Sequence, residues 1–292
     1  KLPDGRTVNT SPKFDNGRNF CNKLWNASRF ALGNLSDASK DGFDASLITL
    51  EDRWILSRLT QTTNIVTGQL DEFKFSEPIN TLYRFFWNEF CDWYLEWVKP
   101  RMQDEADKPI AQNVLAFVLD RILSLLHPFI PFITEGIFQS LNEIAPERKL
   151  NGISESGGAK ALIVAAWPAQ LDDFISDEIE EQVETIKGVI GVVREVRNQY
   201  NIPPKDRLVV TASGSEKAIS ILNDNSELLC HLAGLSKITA GKEQEKPKNA
   251  ATGISGELQI YVHDVVDVEE ERKRLDKQKE KIENEKKKEK DK

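Results

Sequence analysis

The 292-residue sequence is poor in the residues that most enzymes use for metal, redox or nucleophilic chemistry: it has three cysteines, three histidines and one methionine. Cys21, Cys91 and Cys230 lie far apart and share no ligand spacing with His127, His231 or His263, so no metal site is expected. Scattered free thiols suit a reducing, cytoplasmic location and read as small core residues. No run of about 18 apolar residues occurs, so no helix is expected to span a membrane. The chain starts Lys1-Leu2-Pro3, with neither an initiator Met nor an apolar signal core, which reads as a fragment boundary. There is no glycine-rich phosphate loop, no serine nucleophile elbow and no zinc signature. The acidic turn Asp177, Glu178, Glu180 and Glu181 reads as a helix start, so no catalytic residue is expected.

What is present describes a folded protein with a generous polar surface, 39% hydrophobic and 29% charged. The formal charge of -8 argues, taken alone, against a nucleic-acid partner. The signs are unevenly placed, however. Residues 1–40 carry seven Lys/Arg against three Asp, whereas Asp172 to Glu184 is strongly acidic.

The first half has helical periodicity. Helices are expected from about Asn16 to Leu32, stopped by Gly33, and from Thr49, which with Asp52 resembles a capping box. A third runs from Ser76 to Pro100, a fourth opens at Asp107 and breaks at Pro128, and a fifth follows Pro131. Five amphipathic helices with short joints make an all-α bundle over residues 1–150. The Gly/Ser-rich stretch 151–158 reads as a linker.

Residues 159–263 read as a small α/β domain. Leu162-Ile163-Val164 is expected as a strand, then a helix from about Ser176 to Tyr200 stopped by Pro203-Pro204. Leu208-Val209-Val210 is a second strand, residues 216–233 form two helical pieces, and Ser236 to Ala240 is expected to pair with Glu257 to Val262. Residues 264–292 are almost wholly charged. Val268, Leu275 and Ile282 recur every seven residues with polar d positions between, half of a coiled-coil seam, so the tail has little reason to dimerise and a monomer is expected. The fold class is therefore a multi-domain chain, α plus α/β: a helical bundle, a small α/β domain and a charged C-terminal helix.

The most informative string runs from Gly17 to Phe30. On a helical wheel Phe20, Cys21, Leu24, Ser28 and Ala31 share one face, and Arg18, Asn19, Asn22, Lys23, Asn26 and Arg29 the other. Phe30 projects from the polar side and Trp25 borders it. That side holds cations and amides but no acid, the groups that single-stranded RNA recognition uses for phosphates and base edges, with an aromatic for stacking. Packing of Trp25 and Phe30 on a neighbouring helix fits the same residues. Tyr83 to Trp97 follows bundle-core spacing, and its Glu89, Asp92 and Glu96 would repel phosphates. His127, at a helix break, fits a capping or buried hydrogen-bonded role.

Gly17 to Phe30 closely resembles the opening helix of the anticodon-binding domain in the valyl-tRNA synthetases, a class I family. Four further segments match in order: Asp52 to Arg58, Trp87 to Glu96, His127 to Glu135, and Val193 to Arg197 followed by Ile202-Pro203-Pro204. Ile254 to Lys279 resembles the entry into the family's C-terminal coiled-coil arm. The resemblance implies a tRNA-binding region with tRNA(Val) as partner, the parent enzyme joining valine to that tRNA with ATP. The family's His-x-Gly-His element and Lys-Met-Ser-Lys-Ser loop have no counterpart, since Met102 is followed by Gln103, so neither aminoacylation, editing nor an ATP site is expected in this chain. Isoleucyl relatives share the bundle but often end in a Cys-rich module that is missing here. The alternative from another class is a scaffold that binds proteins through the acidic helix 176–184 and the tail. The tRNA-binding candidates are Arg18, Asn19, Asn22, Lys23, Trp25, Asn26, Arg29 and Phe30.

Overall fold

The computed structural model describes residues 11–36, 44–146, 150 and 159–266. The expected linker 151–158 and all but the first residues of the charged tail lie outside them. The described chain divides into two compact units between Glu180 and Glu181. It bears out the α plus α/β class.

The first unit is the helical bundle. Helix α1 covers Pro12–Asn34 and α2 Leu50–Asp71. The expected capping box forms: the Thr49 backbone N–H and hydroxyl both donate to Asp52 Oδ2 at 3.1 Å. After a turn at Phe73, which takes a left-handed φ of 58°, α3 covers Ser76–Arg84. The long α-helix expected from Ser76 to Pro100 then changes pitch. Residues Phe85–Tyr94 form a π-helix, and α4 resumes over Leu95–Arg101. Crowded rings explain the wider turn, since Phe86, Phe90 and Tyr94 stack in series with centroids 5.7 and 6.0 Å apart.

Helix α5, Lys108–Leu126, is the core of the bundle. By length and composition alone it could cross a membrane, but 83% of its apolar window is buried in the bundle, as the core helix of a bundle requires. It ends at the turn before Pro131, where His127 Nδ1 lies 2.9 Å from the Thr134 hydroxyl, and α6 covers Pro131–Ile144. The strand expected at Leu162–Val164 is a single 3-10 turn. Short apolar runs look alike in either state. This segment packs on the bundle rather than on a sheet: Leu162 N–H donates to Glu135 at 2.9 Å and the Trp167 indole to Thr67 at 2.9 Å. Residues 159–180, expected with the α/β domain, thus belong to the first unit. The acidic turn closes it, with Glu180 accepting from Ser57, Arg58 and Gln61.

The second unit takes up the rest of α7, Asp177–Gln199. Strand β1, Leu208–Ser213, is followed by α8, Glu216–Asp224, and α9, Ser226–Ala233, the two pieces expected. They lead to β2, Leu235–Gly241, then β3, Ala251–Ser255, and β4, Leu258–Val262. The sheet order is β2-β1-β4-β3, with β1 and β2 parallel and the other pairs antiparallel. The expected pairing of 236–240 with 257–262 does not form, because the crossover helices return β2 alongside β1 and β4 pairs with β1 and β3 instead. Glycines let α7 approach the sheet closely: a Cβ on Gly253 would collide with the Val192 side chain.

Candidate nucleic-acid interface

Helix α1 turns inward the stripe its periodicity dictates. Leu24, Ala27, Ser28 and Ala31 are buried, as is Leu35 just past its end. Burying a leucine this fully stabilises the packing by about 1.5–3 kcal/mol, which fixes the rotation of the helix. Arg18, Asn19, Asn22, Asn26 and Arg29 consequently face solvent, and Trp25 is 51% exposed. Lys23 and Phe30 are half-buried at the margin.

The surface is not the acid-free one expected. Arg18 pairs with Asp15 at 2.8 Å, one turn earlier on the same helix. Lys23 pairs with Asp92 of the π-helix at 3.3 Å and lies 4.9 Å from the centre of the Trp87 ring. Asp92 is 69 residues away in sequence, so no wheel drawn on α1 could include it. Arg29 has no carboxylate partner among the described residues. Phe30 does not project freely; the Lys99 ammonium of α4 sits 5.8 Å from its ring centre. Lys99 in turn pairs with Glu96 at 2.6 Å. It is a cation of this face that sequence reasoning missed, and its position in the last turn of α4 was the available signal.

Behind the face, Phe20 meets Tyr83 at 5.4 Å, and Tyr83 stacks on Trp87 at 5.3 Å with planes 19° apart. Phe86, Phe90, Tyr94 and Trp97 are buried, as bundle-core spacing requires. Beside the start of α1 a cleft of about 890 Å³ opens between α3 and the turn after α5, lined by Phe20, Ile79, Tyr83, Phe129 and Ile130. Near it Phe14 and Phe132 are 74% and 92% exposed. The arrangement can therefore offer amides, the Arg29 guanidinium, which has no acid beside it among the described residues, and an exposed indole on one side, and an apolar cleft on the other. No group of His, Cys, Asp or Glu able to hold a metal occurs among the described residues.

The described chain is thus a helical bundle followed in sequence by a small mixed sheet, with a row of amides and cations exposed on the first helix of the bundle. The family model "Anticodon-binding domain of tRNA ligase" matches residues 52–212, and the chain belongs to that family. It is 38% identical over 270 residues to a valine–tRNA ligase of Carboxydothermus hydrogenoformans, covering 91% of this chain and 29% of that relative. Valine–tRNA ligases of Rhodopirellula baltica and Geobacter sulfurreducens are 34% and 37% identical over 94% and 88% of the chain. The chain spans less than a third of the length of these curated relatives, 27–29%. The matched family span begins at Asp52, so α1 lies ahead of it.

Proposed function

We propose that this chain is the tRNA-holding part of a valine–tRNA ligase, a monomeric cytoplasmic enzyme that joins valine to tRNA(Val) with ATP. Aminoacylation, editing and ATP binding belong to other parts of that enzyme. The observation that carries the reading is the outward row Asn19, Asn22, Asn26 and Arg29 beside the half-exposed Trp25. Amides suit base edges, Arg29 a phosphate and Trp25 an unstacked base. Arg18, Lys23 and Phe30 contribute at the margins, each with a competing partner within the protein.

The test is filter binding of tRNA(Val) and of the same tRNA with an altered anticodon. The natural tRNA is expected to bind more tightly, and Trp25→Ala to cost about 1–3 kcal/mol. Affinity should fall with salt by about 0.7 in log–log slope for each single-strand phosphate neutralised. Equal binding of the two RNAs, or an unchanged affinity in Asn26→Ala with Arg29→Glu, would rule the reading out. The apolar cleft and the exposed Phe14 and Phe132 favour a second contact, with protein, at that end of the bundle. Phe132→Asp should weaken capture of a protein partner that survives nuclease treatment.

A further inference from the structure

Trp87 and Asp92 are five residues apart in the π-helix, and both reach Lys23 of α1. An α-helix would set them about 140° apart, so that only one could face α1. In a π-helix, whose hydrogen bonds join residues five apart, the wider turn brings both to the same side. The same spacing serves the opposite side, where Glu89 grips Arg58 and Tyr94 donates to Asp52, both on α2. The wider turn is thus what delivers a carboxylate to Lys23.

The arrangement recurs across the face. Asp15 holds Arg18 and Glu96 holds Lys99, so among the described residues Arg18, Lys23 and Lys99 each carry an acid and Arg29 does not. The carboxylates of Asp15, Asp92 and Glu96 are 42%, 48% and 47% exposed. Pairs this open to water add little to stability, and an arriving phosphate can displace them. Their larger effect is on what approaches: a half-exposed carboxylate repels any phosphate that settles beside it.

We propose that Asp15, Asp92 and Glu96 are specificity-determining residues of this face, disfavouring RNA whose phosphates fall in the wrong register. The fitted RNA keeps its phosphates clear of them and gains from Asn19, Asn22, Asn26, Trp25 and Arg29. A face with free cations would bind any polyanion, so discrimination needs the repulsive element as well as the attractive one. The inference rests on the RNA reading of α1.

The experiment is a titration of Asp15→Asn, Asp92→Asn, Glu96→Gln and their triple variant with two transcripts, tRNA(Val) and the same tRNA with an altered anticodon, across a salt series. Each single change is expected to tighten the altered RNA roughly two- to five-fold at low salt and the fitted one less, so that selectivity falls. The triple variant should also show a steeper salt dependence for the altered RNA. An equal gain for both RNAs, no gain for the altered one, or weaker binding of both overturns the proposal. Circular dichroism melts of these surface variants check the fold. Loss of binding in Arg29→Glu with selectivity unchanged in the acid variants refutes this inference alone; no loss in Arg29→Glu refutes the RNA reading beneath it.

Discussion

Arg101 grips Asp52 with two hydrogen bonds, Nη1 to Oδ1 and Nη2 to Oδ2, each 2.8 Å long, where neither group sees appreciable solvent. Tyr94 donates to the same carboxylate at 3.2 Å, and Arg101 Nε reaches Asp107 at 2.6 Å. Asp52 thereby joins the capped start of α2 to the end of the π-helix and to α4. Burial lowers the hold of Arg101 on its proton, but Asp52 and Asp107 outweigh that, leaving its pKa raised.

Removing one member of such a pair leaves a buried charge, which typically costs about 3–5 kcal/mol. Asp52→Ala is therefore expected to lower the urea midpoint sharply. Replacing both groups by apolar ones, Asp52→Leu with Arg101→Met, should be milder than Asp52→Ala alone. A midpoint unchanged in Asp52→Ala would show that Asp107 suffices to hold Arg101.

The capping half of this arrangement was legible because Thr49 and Asp52 are three residues apart. The inner stripe of α1, the ends of α5 and α6 and the two pieces of 216–233 were legible for the same reason: local periodicity and capping residues decide them. The π-helix was not, since Asn88, Glu89 and Asp92 among its rings are too few to betray a change from 3.6 residues per turn. Strand order was not, because only tertiary packing selects which strands become neighbours. The site divides likewise. Its amides and Arg29 lie on one helix and could be read there, whereas Asp92 and Lys99 arrive from segments the chain brings back later.

Glu51, next to Asp52, is also buried. Burial raises its carboxyl pKa above the ordinary 4.5, with Arg101 opposing and Asp52 adding to the rise. The folded protein therefore holds this proton more tightly than the unfolded chain does. Glu51 contributes stability below pH 4.5, and that contribution is lost as pH rises through its higher folded value. Glu51→Gln is expected to melt above the parent protein at pH 7 and to lose that advantage at pH 4. Melting curves that differ by the same amount at both values would show that the carboxyl is not linked to folding.

The three thiols should differ in reactivity. Burial pushes the Cys91 thiol up to about 12, with Lys23 opposing and Asp92 adding, whereas Cys21 and Cys230 are only half-buried. The thiolate is the reactive form. At pH 8 a thiol reagent followed by mass spectrometry is expected to label Cys21 and Cys230 in the native protein, and Cys91 only after denaturation. Labelling of Cys91 at the rate of Cys21 would mean that the π-helix opens readily.

Arg197 performs in the second unit the joining that Asp52 performs in the first. Its guanidinium donates to the carbonyls of Pro203 at 3.0 Å, Asp206 at 2.8 Å and Gly234 at 2.9 Å. It thereby ties the proline turn after α7 to the left-handed end of α9, where Gly234 takes φ 67°. Hydrogen bonds from a charged donor contribute about 1.5–3 kcal/mol, so Arg197→Met should destabilise by that order. Lysine keeps the charge but has no planar fork to span three carbonyls, so Arg197→Lys should recover only part of the loss. Hydrogen exchange at the Leu208 amide, which donates to the Gly234 carbonyl at 3.3 Å, reads the effect locally. Exchange in Arg197→Lys as slow as in the parent would show that charge alone holds the turn and that the fork geometry is dispensable.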